Sequence, residues 1–176
     1  MIEERIKQTI RDIYDFPKPG IIFKDISTIF LDAALCKSIV KSFVDKIRHL
    51  EPDAIVGLES RGFLLGPSIA MELGIPFVLI RKEGKLPGKC IHETYDLEYG
   101  TATIEIQENA LASGKKVIIH DDLLATGGTV LAASNLLHKL NIEVVGYAFI
   151  IELSALLGRA KLEENKTPVI SLASYT

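Results

Sequence analysis

Val117-Ile-Ile-His-Asp-Asp-Leu-Leu-Ala-Thr-Gly-Gly-Thr129 is the stretch that decides how this chain folds and what it can bind. The apolar run Val117 to Ile119 reads as a buried strand. It delivers Asp121 and Asp122 to the carboxyl edge of a sheet, the edge at which open α/β folds bind their ligands. A loop of small residues follows. Ala125, Thr126, Gly127, Gly128 and Thr129 offer backbone N–H groups at the start of the next helix, and glycine lets the backbone approach an anion closely. That pattern is a phosphate cradle. Carboxylates placed just upstream would repel a phosphate in the same spot, so Asp121 and Asp122 are expected to accept hydrogen bonds from sugar hydroxyls beside it. The predicted ligand carries a 5-phosphate at one end and a ribose diol next to it. The Gly-Lys-Ser/Thr of a P-loop is missing, and no Gly-x-Gly-x-x-Gly follows a strand, which argues against NTPase and dinucleotide sites. A plain strand-turn-helix would account for one Asp and one Gly. It does not account for two carboxylates, two glycines and two threonines converging on one edge.

Working outward, Ala54 to Leu58, Pro76 to Ile80, Lys116 to His120, Val144 to Ile151 and Val169 to Leu172 read as strands. Helices are predicted between them, over Gly62 to Leu73 with Gly74 closing it and over Thr129 to Leu140. Ahead of these, Ile2, Ile6, Ile10 and Ile13 stand at helical spacing, and Phe16-Pro17-Lys18-Pro19-Gly20 stops that pattern. Asp32 is placed to cap a second helix whose stripe is Leu35, Ile39, Val40, Phe43, Val44 and Ile47. Residues 81 to 100, with Gly84, Pro87, Gly88 and Gly100 among charges, read as one long loop. After it, Ala102, Ile104 and Ile106 alternate as in a half-exposed strand. Strands alternating with helices predict an α/β fold with a mostly parallel central sheet flanked by helices. Residues 1 to 176 are expected to form a single domain.

Composition agrees. The 176 residues are 48% hydrophobic and 24% charged, with a mean hydropathy of +0.26, which suits one packed core. A chain of this length buries roughly 70% of its unfolded surface and needs no disulfide or structural metal. Its longest apolar runs fall far short of the roughly 20 residues of a membrane-spanning helix. The charged start, Met1-Ile2-Glu3-Glu4-Arg5, lacks the layout of a secretory signal, so a cytoplasmic location is expected, and Cys36 and Cys90 are expected as free thiols. A net charge of -3 gives no general attraction to nucleic acid or to an anionic membrane. Any anionic ligand must be held by a local site.

Four ordered motifs resemble the type I phosphoribosyltransferases. His120 to Thr129 is similar to that family's motif for 5-phosphoribosyl-1-pyrophosphate (PRPP), and Asp121 to Thr129 matches the form found in its adenine-using branch. Phe16-Pro-x-Pro-Gly-Ile-Ile-Phe-Lys-Asp-Ile26 resembles the N-terminal hood, within residues 1 to about 30, and Gly57-Leu-Glu-Ser-Arg-Gly-Phe63 resembles the pyrophosphate loop. Ile80-Arg-Lys-x-Gly-Lys-Leu-Pro-Gly88 together with Tyr95-x-Leu-Glu-Tyr-Gly100 resembles the flexible catalytic loop. The resemblance implies that adenine and PRPP give AMP and pyrophosphate, with inversion at ribose C1, in purine salvage. It also implies Mg²⁺ held mainly through the ligand's pyrophosphate, and a homodimer. It gives Asp121, Asp122, Ala125, Thr126, Gly127, Gly128, Thr129, Arg81, Lys82, Lys85, Ser60 and Tyr99 to PRPP or AMP. Ile22, Phe23, Lys24 and Arg61 fall to the adenine ring, and Glu98 with Arg61 to catalysis. The chemistry of these residue types agrees: a guanidinium in a turn after a buried strand suits a pyrophosphate or a base edge. A carboxylate on a mobile flap can enter a closed site to exchange a proton.

Two positions depart from the family pattern. Lys24 stands where Arg is frequent and cannot make the planar two-pronged contact. His120 stands where an aliphatic residue is usual; His120-Asp121-Asp122 invites a metal reading, but no second His or Cys stands at ligand spacing. Two other functions share the PRPP motif and stay open. One is a phosphoribosyltransferase for hypoxanthine, guanine or xanthine, which would lack this hood. The other is a non-catalytic PRPP- or purine-sensing regulator, for which 176 residues leave no room for a separate DNA-binding domain and no basic surface.

Overall fold

A seven-stranded sheet organises the computed structural model, which describes residues 1–97, 100–163 and 166–176. In chain order the elements are α1 (Ile2–Thr9), β1 (Arg11–Tyr14), β2 (Ile22–Asp25), α2 (Ala33–Ile47), β3 (Ala54–Leu58), α3 (Gly66–Leu73) and β4 (Phe77–Lys82). They continue with β5 (Cys90–Asp96), β6 (Thr101–Gln107), β7 (Lys116–Leu124), α4 (Gly128–Lys139), β8 (Glu143–Leu153), α5 (Gly158–Glu163) and β9 (Val169–Tyr175). The sheet order is β5-β6-β4-β3-β7-β8-β9. Strands β4, β3, β7, β8 and β9 run parallel, while β6 pairs antiparallel with both β4 and β5. This is the predicted mostly parallel sheet. Among the described residues no helix is long and apolar enough to cross a membrane.

Alternation along the central strands divides the core into two layers. Val117 and Ile119 of β7 pack with Val130, Ala133, Leu136 and Leu137 of α4, whereas Ile118 faces Ile39 and Phe43 of α2 and Ile69 of α3. Burying such side chains completely contributes about 1.5–3 kcal/mol each, which is why a strand apolar on both faces belongs at the centre of the sheet. Asp32 caps α2 as expected, its carboxylate accepting the Leu35 N–H at 2.9 Å.

Several boundaries differ from the sequence reading. The first helix ends at Thr9, and Ile13 lies in a hairpin opposite Phe23. Ion pairs Arg11–Asp25 at 2.8 Å and Lys24–Asp12 at 2.7 Å cross that hairpin, and Ile10 is already extended at ψ 135. The helix expected from Gly62 starts at Gly66, after a 3-10 turn over Arg61–Phe63. Pro67 sits in its first turn, where a missing N–H is tolerated. The stretch 81 to 100 is not one loop: β5 occupies Cys90–Asp96 and pairs with β6 over seven positions. β7 runs to Leu124 because β8 continues to pair with it there, so both aspartates lie within the strand. The short helix α5 was not expected.

His120 belongs to this core. Its ring stands edge-on to Phe43 at 5.3 Å and Nδ1 lies 2.9 Å from the Ala148 carbonyl. A carbonyl only accepts, so Nδ1 carries the proton, and Nε2 is buried with no hydrogen-bond partner among the described residues. Burial, slightly offset by the bond to Ala148, lowers the imidazole from its ordinary value of 6.5 to about 4. The folded state therefore keeps His120 neutral while the unfolded chain protonates it below 6.5. Stability from this group is complete above pH 6.5 and is lost as pH falls towards 4, by about 3 kcal/mol. Urea unfolding of the parent and of His120→Leu, compared at pH 7 and pH 4.5, should show the parent losing most of that amount relative to the variant. Equal pH slopes would contradict a buried neutral ring.

Candidate active site

The site forms where three strand ends meet. Beyond β3 the chain turns sharply through Glu59, Ser60 and Arg61, and Arg61 Nε reaches the buried Asp122 carboxylate at 2.8 Å. Gly62 makes this approach possible. A Cβ there would lie 2.6 Å from the His120 carbonyl, so only glycine lets the turn settle on the end of β7. Asp121 Oδ1 accepts the Asp122 N–H at 2.8 Å. Burial, and then the neighbouring Asp122, push the Asp121 carboxyl well above the usual carboxylate range, against a smaller opposing pull from Arg61. The pair is thus two unlike groups: Asp122 faces a guanidinium, and Asp121 holds a proton more readily than a free carboxyl.

Two adjoining cavities share Asp121, Glu59 and Lys82. One, of about 280 Å³, is lined by Glu59, Ser60, Arg61, Lys82, Asp121 and Asp122. The other, of about 300 Å³, runs from Asp121 past Tyr95 and Leu97 to Thr129. A larger cleft of about 740 Å³ lies between α2 and α3, away from the acid pair and the glycine loop.

The glycine loop read as a cradle lies at the start of α4. Gly127 caps α4 at φ 79, a left-handed conformation that favours glycine, and its carbonyl accepts the Leu131 N–H at 2.9 Å. In front of the loop there is room: a Cβ on Gly128 would meet only the Thr126 hydroxyl, at 4.0 Å. Behind it there is none. A Cβ on Gly158 would lie 2.2 Å from the Ala125 carbonyl, so α5 buttresses the loop by direct backbone contact. Arg159 fixes that buttress through Glu152 at 2.6 Å, Glu163 at 3.0 Å and the Val169 carbonyl at 2.8 Å. Tyr95, from β5, meets the Thr129 hydroxyl at 3.0 Å.

The remaining predicted residues divide. Phe23 lies 5.9 Å beneath the Arg61 guanidinium and packs edge-on with Phe16 at 5.1 Å, which connects the hood to the acid pair; Ile22 beside it is half exposed. Lys24 is turned elsewhere, its ammonium 2.7 Å from Asp12 and 4.3 Å over the Tyr175 ring. Arg81 is engaged by Glu59 through Nε at 3.2 Å and Nη2 at 2.9 Å, and this contact first of all holds the Glu59 carboxyl below its usual range. Lys82 and Lys85 are exposed, as is Ser60. Glu98 and Tyr99 lie outside the described residues. Among the described residues no group of three or more His, Cys, Asp or Glu side chains could cage a metal. The sequence reading missed Glu59, Tyr95, Gly158 and Arg159. Glu59 and Tyr95 carried a signal, standing inside the Gly57 to Phe63 and Tyr95 to Gly100 motifs without being given a role; Gly158 and Arg159 carried none.

Residues 28–173 match the phosphoribosyl transferase domain family. The adenine phosphoribosyltransferase of Cytophaga hutchinsonii is 54% identical over 175 residues, covering 99% of this chain and 97% of that protein. The chain belongs to the adenine phosphoribosyltransferase family. Its members are pentosyltransferase enzymes, and solved structures of the family share the whole fold. That of the Thermoanaerobacter pseudethanolicus enzyme superposes with a TM-score of 0.94 at 42% identity, covering 99% of this chain and 100% of that one. The Saccharomyces cerevisiae enzyme, solved with an imino-altritol bisphosphate and adenine, gives 0.90 at 42% identity over 97% and 98%. The Trypanosoma brucei enzyme, solved with AMP, pyrophosphate and ribose-5-phosphate, gives 0.90 at 29% identity over 98% and 79%.

The buttress behind the cradle can be tested directly. Gly158→Ala should displace the Ala125 to Gly127 backbone and weaken AMP binding at least tenfold in isothermal titration, with circular dichroism unchanged. Parent-like AMP affinity would mean that the loop does not depend on α5.

Proposed function

We propose that this chain transfers the 5-phosphoribosyl group of PRPP to adenine, forming AMP and pyrophosphate. The observation that carries this reading is the acid pair, with the open N–H cradle of residues 125 to 129 on one side and Arg61 over Phe23 on the other. That order of donors matches a 5-phosphate, a ribose diol and a flat base held in line. Backbone N–H groups of the cradle and the start of α4 take the 5-phosphate. Asp121 and Asp122 accept from the ribose hydroxyls. The half-buried Phe23 and the exposed Ile22 supply apolar surface for the purine. Lys82, Lys85 and Arg61 meet the departing pyrophosphate, while Arg81, held by Glu59, fixes the chain from which Lys82 projects.

Inversion at ribose C1 requires purine N9 to approach the face opposite the pyrophosphate, and the protein contributes by holding both ends of that line. Glu98 takes the purine proton on the resemblance to the family. Magnesium fits as part of the substrate: the hard oxygens of a diphosphate suit it, and among the described residues the carboxylates lining the cavity are Asp121, Asp122 and Glu59, of which Asp122 is paired with Arg61 and Glu59 with Arg81. Bound in this way it neutralises charge on the leaving group. The same reading takes the enzyme as a cytoplasmic homodimer, in keeping with its family resemblance.

Incubation with PRPP, Mg²⁺ and each common purine, with identification of the nucleotide formed, tests the assignment. Adenine should be preferred and the reaction should need the divalent ion; equal turnover of guanine or hypoxanthine would contradict it. Asp121→Asn and Asp122→Asn should each lose tenfold or more in kcat/KM, because hydrogen bonds to charged groups contribute roughly 1.5–3 kcal/mol. Glu98→Leu should lower kcat far more than it raises the KM for PRPP.

A further inference from the structure

The turn between β4 and β5 is built around a carboxylate that no motif marks. Glu105 lies in β6 between Ile104 and Ile106, and its side chain is only 3% exposed. It accepts three consecutive backbone N–H groups, from Gly84 at 3.1 Å, Lys85 at 2.8 Å and Leu86 at 2.7 Å. Successive N–H groups converging on one point form a nest of the kind that binds anions, and here the protein's own carboxylate fills it. Burial raises the affinity of Glu105 for a proton, but the three donors and nearby His92 outweigh it and hold the carboxyl below its usual range. Nothing in the packing of β6 calls for a buried charge, since an apolar residue would fill that position at lower desolvation cost. What the charge does is shape the turn.

A second carboxylate grips the same segment from the other side. Glu59 accepts the Lys82 N–H at 2.9 Å and holds Arg81, whose Nη1 donates to the Lys85 carbonyl at 3.0 Å. Residues 82 to 86 are therefore fixed at the backbone between two acids, while the ammonium groups of Lys82 and Lys85 stay exposed. We infer that Glu105 is a positioning residue for the pyrophosphate end of the site, acting through the turn at residues 84 to 86 on Lys82 and Lys85 without touching substrate. This rests on the functional reading given above.

The test separates the turn from the ligand. Amide hydrogen exchange should find Gly84, Lys85 and Leu86 protected in the parent; in Glu105→Gln an amide nitrogen, which cannot accept, replaces one of the two oxygens, so Gly84 on one oxygen or the Lys85 and Leu86 pair on the other should exchange at least tenfold faster. In titrations with Mg²⁺ present, pyrophosphate should bind Glu105→Gln at least fivefold more weakly, while AMP, which lacks the diphosphate, binds within twofold of the parent. Where Glu105→Gln does not fold, Glu105→Asp keeps the charge, withdraws it by one methylene and is measured in the same way. Unchanged exchange at the three amides, or parent-like pyrophosphate affinity in a parent that binds it, would overturn the role of Glu105 alone. Equal losses for AMP and pyrophosphate would show a general structural role and also overturn it. A parent that binds neither ligand, with the three amides still protected by Glu105, would instead refute the functional reading and the inference together.

Discussion

Two adjacent carboxylates at the end of a strand buried on both faces are an electrostatic liability, and much of the surrounding architecture follows from how that liability is met. Like charges this close cannot both sit unpaired in a poorly solvated place. Arg61 faces Asp122 at 2.8 Å, and the Asp121 carboxyl is pushed upward by burial and by its neighbour. For Arg61 to arrive, the chain after β3 must fold over the end of β7 with no side chain between them. Gly62, whose Cβ would strike the His120 carbonyl, meets that condition. Parallel pairing of β3 with β7 sets the register, with Gly57 opposite His120, and so delivers the turn to the right height. One glycine and one arginine thus answer to a single pair of acids, on a register that the sheet supplies.

The loop proposed as a phosphate cradle meets a different constraint. Its donors are backbone N–H groups, which have no side chain to tether them, so their precision must come from behind. That support is Gly158 against the Ala125 carbonyl, made rigid by Arg159 across Glu152 and Val169. From the front, Tyr95 reaches Thr129 from a strand of the opposite sheet edge. A glycine loop that is local in sequence is therefore positioned by residues about thirty places away on either side.

This explains which features were legible in the sequence. Asp121 to Thr129 could be read because its elements are contiguous: an apolar run, two acids and small residues, each with a local meaning. The cap Asp32 and the stripe of α2 were legible for the same reason. β5 was not, because Cys90 to Asp96 lies among glycines and prolines and is extended only by its pairing with β6. Ile13 misled because its spacing from Ile10 suits a helix, while the ion pairs that place it in a hairpin come from Lys24 and Asp25, more than ten residues on. Glu105 was invisible since its alternation between two isoleucines predicts an exposed face, and the donors that draw it inward belong to another turn. Gly158 and α5 offered six residues without periodicity.

The distribution of cations follows the same physical division. Arg61 and Arg81 both carry planar guanidinium groups, and both are paired with acids at fixed geometry, Asp122 and Glu59. The ammonium groups of Lys82 and Lys85 are compact, flexible and left in water. In the function proposed above a highly charged diphosphate leaves during the reaction, so groups that hold it must bind without demanding one geometry and must release it readily. Lysines on a backbone fixed at both ends meet that need: the turn supplies position and the long side chains supply adaptability. Arginines in the same places would hold a diphosphate in two-pronged contacts that resist its departure. Arg81, held by Glu59, acts as a strut, Arg61 is fixed in place by Asp122, and the adaptable charge in the proposed site is lysine.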